Sequence, residues 1–264
     1  LKMSLTQTLL TIMSTNPPIW YATKNRTDFA KIFKYMNEYQ STPEEKERSL
    51  PLFLRSSSLA RILAIQEIYS SIISTPGCIF DVGTWRGQTA VICENLRAIY
   101  EPLNFNRRIY CFDTFNGYKG FTSKDKNSRL YKDKSYSLSG IEYADFLSNL
   151  LIEHEKSNAM GHNNKKHKVI LGDCVKTIPS FFEDYPNQII SLAFLDINAY
   201  EPLKKIIHKI WDRIVPNGIL VFWQLTRESI LAEGAIYFEK LQNKYNHELC
   251  QSKIYPGLCY LIKK

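Results

Sequence analysis

The sequence predicts an α/β fold: a seven-stranded, mostly parallel sheet with an antiparallel terminal hairpin, preceded by an N-terminal helical extension. Three observations predict it. From residue 78 onward, short apolar runs alternate with amphipathic helical segments, the pattern of successive βα units. The first run, Cys78–Val82, opens into Asp81-x-Gly83-x-x-x-Gly87, a glycine turn that leads into a helix at Gln88. The chain then ends on two consecutive strand-like runs, near 247–252 and 257–262, around a short Pro256-Gly257 turn, which reads as a hairpin at one sheet edge.

Before the sheet, residues 1–57 read as a helical extension or lid, with a subunit contact as one use for it. Phe29, Ile32, Phe33, Tyr35 and Met36 carry helical spacing, and Pro17-Pro18 breaks the segment before them. Thr42-Pro43-Glu44-Glu45 reads as a helix start, with Thr42 as cap and Pro43 in the first helical position. The main domain, 58–264, opens on an amphipathic helix over 58–74 that carries Leu59, Ile62, Ile65, Ile68 and Ile72 on its apolar face. Arg61 on this helix is either an ordinary surface arginine or a ligand-facing one, because the helix leads into the glycine turn.

The elements then follow in order: strand 78–82, helix 88–100, strand 108–113, helix 141–155, strand 168–171, helix 175–184, strand 189–195, helix 201–214, strand 218–223 and helix 229–244. The stretch 119–140 is polar and poor in apolar residues, a candidate mobile loop over the site. Acids stand at the strand ends. Asp81 can pair with a cationic group. Asp113 offers two acceptor oxygens to a ribose. Asp173, after Gly172, either accepts from an adenine amino group or caps the next helix. Asp196 ends the fourth strand, where catalysis or metal binding would sit.

Composition narrows the classes. The 264 residues are 44% hydrophobic and 23% charged, enough for a sizeable core and too apolar for a disordered chain. Six scattered cysteines with no Cys-x-x-Cys pair indicate reduced thiols in a cytoplasmic protein. No run is long enough to span a membrane, and no signal-peptide pattern opens the chain. It begins at Leu1, as a trimmed chain or a segment of a longer protein would. The net charge of +8 includes a Lys165, Lys166 and Lys168 cluster but is not interleaved with aromatics on one element. That argues for a solvated surface rather than a nucleic-acid partner.

Glycines spaced as in Gly83 and Gly87 do not fit the Gly-x-Gly-x-x-Gly dinucleotide turn, which disfavours a nicotinamide enzyme. Together with Phe112-Asp113-Thr114-Phe115-x-Gly117-Tyr118, Gly172-Asp173, Leu195-Asp196-x-Asn198-x-Tyr200-Glu201-Pro202 and Pro216-Asn217-Gly218, they resemble the macrocin O-methyltransferase family. The resemblance covers roughly residues 50 to 262 and is nearest to the calicheamicin-type deoxysugar branch. It implies a Rossmann-like class I methyltransferase that uses S-adenosylmethionine, methylates a small-molecule sugar or sugar-nucleotide hydroxyl, and in many members binds Mg2+; a homo-oligomer is an expectation separate from the resemblance. The resemblance places Asp81, Gly83 and Gly87 around the methionine part of the cofactor, Asp113 on the ribose, and Asp173 and Cys174 near the adenine; Arg61, Thr84, Thr114 and Gly172 complete the expected cofactor site. Catalytic duty falls on Asp196, with His154 as a second base candidate whose alternative is a solvated helix-end histidine. The metal set is thin. Where the family carries further acids, this chain has Asn198, Trp223 and Gln224, so Asp196 is joined only by neutral oxygens, whereas a hard dication wants several carboxylates. Three readings stay open: a metal-independent enzyme, a different nucleophile, or a cofactor-binding module without catalysis.

Overall fold

The computed structural model describes residues 27–126, 134–158, 165–226 and 232–264. Helices α1 (Thr27–Glu38) and α2 (Pro43–Ser49) precede a 3-10 turn at Leu50–Phe53 and helix α3 (Ser56–Ser71). The start of α2 is a reciprocal cap: Glu45 N–H donates to Thr42 Oγ1 at 3.3 Å, and Thr42 N–H donates to Glu45 Oε2 at 2.9 Å. The piece of the extension before residue 27, including Pro17-Pro18, lies outside the described residues.

The remaining elements are β1 (Cys78–Val82), α4 (Gln88–Tyr100), β2 (Ile109–Asp113), α5 (Ile141–Ser157), β3 (His167–Leu171), α6 (Cys174–Asp184), β4 (Ile190–Leu195), α7 (Tyr200–Trp211), β5 (Ile214–Phe222), α8 (Ala232–Ile236), β6 (His247–Gln251) and β7 (Cys259–Lys263). The sheet has the order β3-β2-β1-β4-β5-β7-β6. Strands β1 to β5 are parallel, and β7 runs antiparallel between β5 and β6. The chain winds outward from β1 to β3, then restarts at β4 on the other side, so the strand order reverses between β1 and β4. That is the place where an open α/β sheet leaves a crevice at its carboxyl edge.

Strands β1 and β4 are buried along their whole length, as a sheet covered on both faces requires. Alternate side chains go to opposite faces. Phe80, Phe112, Leu195 and Phe222 pack with α6, α7 and α8. Ile79, Cys111, Phe194 and Val221 pack with α3, α4 and α5. The two faces meet α3 through Arg107, a fully buried side chain that donates to the carbonyls of Ile72, Thr75 and Gly77, to Ser191 Oγ and to Glu101. Helix α3 ends at Ser71 rather than at residue 74, and Arg107 caps carbonyls of the turn that follows it.

Three expectations need correction. Helix 229–244 is shorter: after α8 the chain widens into a π-type turn at Tyr237–Leu241, which sets Glu239 against Tyr200 and Lys124; residues 229–231 lie outside the described residues. The fifth strand begins at Ile214, with an irregularity before Ile219, and stops at Phe222, so Trp223 follows the strand instead of ending it. Lys166 is not a solvated lysine. It is 3% exposed and lies 3.7 Å from the buried Glu155. The cysteines behave as expected: all six are free, and Cys78, Cys93, Cys111 and Cys259 are buried. Among the described residues no helix is long and apolar enough to cross a membrane.

Candidate active site

Side-chain parity brings the strand-end acids together. Asp81, Asp113 and Asp196 each stand two residues beyond a side chain of the α3–α4–α5 face (Ile79, Cys111 and Phe194), so all three project to that face. Their charges act on one another: Asp196 and Asp113 both push Asp81 up, and Asp196 pushes Asp113 up. Burial is the larger cause in each case and lifts the Asp81 carboxyl to about 7.

The turn after β1 is built to let a ligand and the chain itself approach closely. Gly83 has φ +83°, and a Cβ there would lie 2.4 Å from the Asp196 carbonyl oxygen. Gly87 has φ +79°, with a Cβ position 2.3 Å from Leu147 Cδ1. Only glycine fits both the left-handed backbone and the space. Thr84 Oγ1 donates to the Asp81 carbonyl at 2.7 Å. The Asp113 carboxylate receives two backbone N–H groups at 2.7 Å, Trp85 on Oδ2 and Phe115 on Oδ1. Asp113 therefore fixes the turn's position.

Asp196 sits beyond β4, its N–H donating to the Val82 carbonyl at 2.8 Å. Asn198, 2% exposed and left-handed with φ 57°, donates its amide to Asp196 Oδ1 at 3.0 Å and to Tyr118 Oη at 2.8 Å. Tyr118 begins an aromatic wall: its ring lies 5.2 Å from Tyr136, which lies 5.2 Å from Trp85. Burial, then the nearby Asp196, holds the Tyr118 phenol well above its ordinary range, so it stays protonated. The predicted loop 119–140 supplies part of this wall. Its described flank is tied down, with Asp125 accepting the Tyr200 N–H at 3.1 Å and Lys124 Nζ donating to Tyr200 Oη at 2.8 Å. Residues 127–133 of that loop lie outside the described residues.

Arg61 is not a surface arginine. Its guanidinium lies 3.9 Å from the centre of the Trp223 ring, and its Nη2 donates to Thr89 Oγ1 at 3.1 Å. Trp223 is 2% exposed and also stacks on Phe194. The next residue, Gln224, donates its backbone N–H to the buried Glu233 at 2.6 Å.

The chemistry of these donors does not fit a divalent metal. Among the described residues no three His, Cys, Asp or Glu side chains converge to hold one. The Asn198 amide occupies Asp196 Oδ1 as well as Tyr118 Oη, and Arg61 covers Trp223 with positive charge. The fit to an organic ligand is better. Ten buried side-chain polar atoms lack a hydrogen-bond partner among the described residues, and five belong to this crevice: Asp81 Oδ2, Arg61 Nε, Trp85 Nε1, Asn198 Oδ1 and Gln224 Oε1. Buried polar groups are normally paired, so this concentration marks a place where a ligand completes the hydrogen bonding.

Other predicted residues fall at different distances from this centre. Gly172 N–H donates to the Asp113 carbonyl at 2.9 Å, which brings Asp173 and Cys174 to the same edge. Asp173 is the N-cap of α6, its Oδ1 accepting the Val175 N–H at 2.9 Å. Burial pushes the Cys174 thiol up to about 12, which leaves it neutral. Thr114 Oγ1 accepts the Asn116 N–H at 3.2 Å within the turn. His154 is not brought to the group. It lies in the last turn of α5, the end that returns the chain to the amino edge of β3, across the sheet from Asp196. Sequence reasoning quoted Tyr118 only as the end of a motif and gave neither it nor Tyr136 a role.

Comparison with known proteins gives the family and the fold. A family model described as a methyltransferase domain matches residues 80–222, more than half of the chain. No curated protein matches. Among solved structures, the chain is similar to the calicheamicin methyltransferase CalS11, with 27% identity over 91% of this chain and 93% of that one and a TM-score of 0.82. An apo structure of CalS11, described as a TDP-rhamnose 3′-O-methyltransferase of calicheamicin biosynthesis, gives 25% identity over 91% and 95% and a TM-score of 0.75. The O-methyltransferase NovP shares the fold alone, at 15% identity over 78% and 80% with a TM-score of 0.58.

Proposed function

The chain belongs to the methyltransferase domain family, and we propose that it is an S-adenosylmethionine-dependent enzyme that methylates a hydroxyl of a sugar or sugar nucleotide. The observation that carries this reading is the convergence of Asp81, Asp113 and Asp196 on one face of the switch point, beside the Gly83 turn. The similarity to CalS11, described as a TDP-rhamnose 3′-O-methyltransferase, supports a sugar as the acceptor class.

S-adenosylmethionine, when bound, supplies an electrophilic methyl group on sulfur. The protein's own part is alignment and proton removal. Asp113, held by Trp85 and Phe115, would hold the ribose hydroxyls, and Asp173 and Cys174 would hold the adenine. Asp196 would take the proton of the acceptor hydroxyl, whose oxygen the cofactor would methylate. Asn198 keeps the Asp196 carboxylate oriented, since its amide donates to that group and to Tyr118. The aromatic wall of Trp85, Tyr136 and Tyr118 offers stacking faces to the acceptor. No step is assigned to a metal, because the donor set lacks the carboxylates that a hard dication requires.

The incomplete metal set also favours a second reading, a cofactor-binding module without turnover. The two separate in one assay: S-adenosylmethionine is incubated with TDP-rhamnose and related sugar nucleotides in EDTA, and S-adenosylhomocysteine is measured. Acceptor-dependent product supports the enzyme. Cofactor binding with no product from any acceptor supports the module.

A further inference from the structure

A cavity of about 230 Å³ opens at the amino edge of β2 and β3, the opposite edge of the sheet from Asp81, Asp113 and Asp196. Arg108 stands just before β2, Lys165 and Lys168 flank the start of β3, and Tyr185 follows α6. The strand register sets Lys168 beside Tyr110, so the two side chains share a face. Five of the residues lining the cavity are basic and none is acidic. Two of the five already have a counter-charge: Lys166 Nζ lies 3.7 Å and His167 Nε2 3.1 Å from the buried Glu155. The other three, Arg108, Lys165 and Lys168, are exposed and enter no ion pair among the described residues. Lys168 Nζ makes one long bond, 3.4 Å to Tyr185 Oη. The wall beneath it is fixed, because the Tyr185 ring packs on Phe181 at 4.8 Å and on Tyr110 at 6.2 Å. Charges of one sign in a concave space focus the field and concentrate counter-ions. A guanidinium fork with two ammonium groups suits the several oxygens of a phosphate; one arginine alone would saturate a carboxylate. The volume is below the roughly 300–1,000 Å³ of a site that encloses a drug-sized ligand, so it suits a phosphate or diphosphate group and not a whole nucleotide.

We propose that this cavity binds the phosphate or diphosphate group of a small anionic ligand, with Arg108 as its fork and Lys165 and Lys168 as its point charges. The site is separate from the crevice at the carboxyl edge and does not depend on the methyltransferase reading above. Two sources share this chemistry: free pyrophosphate, and a nucleoside diphosphate whose base stays outside the cavity.

Calorimetric titration of inorganic pyrophosphate into the intact chain, in metal-free buffer at an ionic strength of about 0.15 M, should show one saturable site per chain. Arg108→Gln and Lys168→Gln should each weaken it by about tenfold, and Lys165→Gln combined with Lys168→Gln should abolish it. These side chains are exposed, so the variants should keep the parent's thermal unfolding. Lys253→Gln removes the same charge at another exposed position and should leave the affinity unchanged. Thymidine diphosphate, run in parallel, separates the sources: equal affinity identifies the free anion, and tighter binding identifies the nucleotide, with the same loss in Lys168→Gln expected for either. The absence of saturable binding at about millimolar pyrophosphate would overturn the proposal. So would an affinity that survives Arg108→Gln and Lys168→Gln, which puts the anion elsewhere, or one that Lys253→Gln weakens equally, which reduces it to the attraction of net charge.

Discussion

The Asp113 carboxylate accepts the backbone N–H of Trp85 at 2.7 Å, so the acid at the end of β2 is also the clamp that fixes the glycine turn after β1. Its other oxygen accepts the Phe115 N–H at the same distance. Removing it therefore does two things at once. Asp113→Ala should lose cofactor binding and also destabilise the fold by about 1–3 kcal/mol, because two buried amides lose their acceptor. Asp113→Asn keeps one carbonyl acceptor and should retain more stability than binding. Denaturant unfolding beside ligand titration checks this; equal losses of both in Asp113→Asn would contradict a direct ligand contact.

Gly83 admits no replacement. Alanine there meets the Asp196 carbonyl oxygen and a left-handed backbone, which alone costs about 1–2 kcal/mol. Gly83→Ala should lower the melting temperature and displace Asp196, abolishing cofactor binding even where the protein still folds. Gly87→Ala carries the same left-handed strain but meets the side-chain end of Leu147 instead of backbone, so its loss should be smaller than that of Gly83→Ala.

Ionisation of Asp81 should appear in both stability and binding. Its carboxyl is lifted from 3.8 to about 7, first by burial and then by Asp196 and Asp113, with Arg61 and Thr84 opposing. The neutral thiols of Cys93 and Cys111 share its surroundings. A raised carboxylate means that the folded chain holds a proton the unfolded chain has released, so stability falls as pH rises from about 4 to about 7. Asp81→Asn should flatten that slope. A cationic ligand group needs the ionised form, so cofactor affinity should rise across about pH 6 to 8 in the parent chain and not in Asp81→Asn.

Magnesium should be dispensable. EDTA should leave turnover unchanged, and calorimetry should detect no magnesium binding to the unaltered chain. Asn198→Asp places a second carboxylate beside Asp196 and should create measurable magnesium affinity while disturbing the bond to Tyr118. Activity that disappears in EDTA and returns with magnesium would refute the metal-free reading.

Away from the crevice, the Arg107–Glu101 pair should carry much of the stability. Burial raises the Glu101 carboxyl, but hydrogen bonds from Arg107 and Tyr69 outweigh it and hold the group below its ordinary 4.5. Its contribution is therefore fully present above that value and lost as pH falls through the lower folded one. Arg107→Met should destabilise the fold by about 3–5 kcal/mol, since Glu101 would be left buried and unpaired. Denaturant unfolding measures it.

The fold was largely legible in the sequence because local signals agreed with global ones. Helix 88–100 begins where Gly87 must turn, and β1 is bounded by Gly77 and Gly83. The strand-end acids were legible for the same reason: a charged residue after an apolar run marks the edge of the sheet. What failed was reasoning that needed contacts between distant segments. Arg61 and Trp223 lie near opposite ends of the chain, and nothing local marks them as partners. His154 takes the second of its two readings, a helix-end histidine, for a simpler cause. A crossover helix that starts at the carboxyl edge must finish at the amino edge, so its last turn points away from the strand-end acids. Lys166 looked solvated because it sits in a basic cluster, yet Glu155, a helix away, draws it inside.

The most direct test of the central claim is a calorimetric titration of S-adenosylhomocysteine into the intact chain in excess EDTA, with Gly83→Ala run alongside. Saturable binding of one ligand per chain, lost in Gly83→Ala, is the predicted result. No binding, or binding that survives Gly83→Ala unchanged, would contradict the assignment of the cofactor to the crevice between β1 and β4.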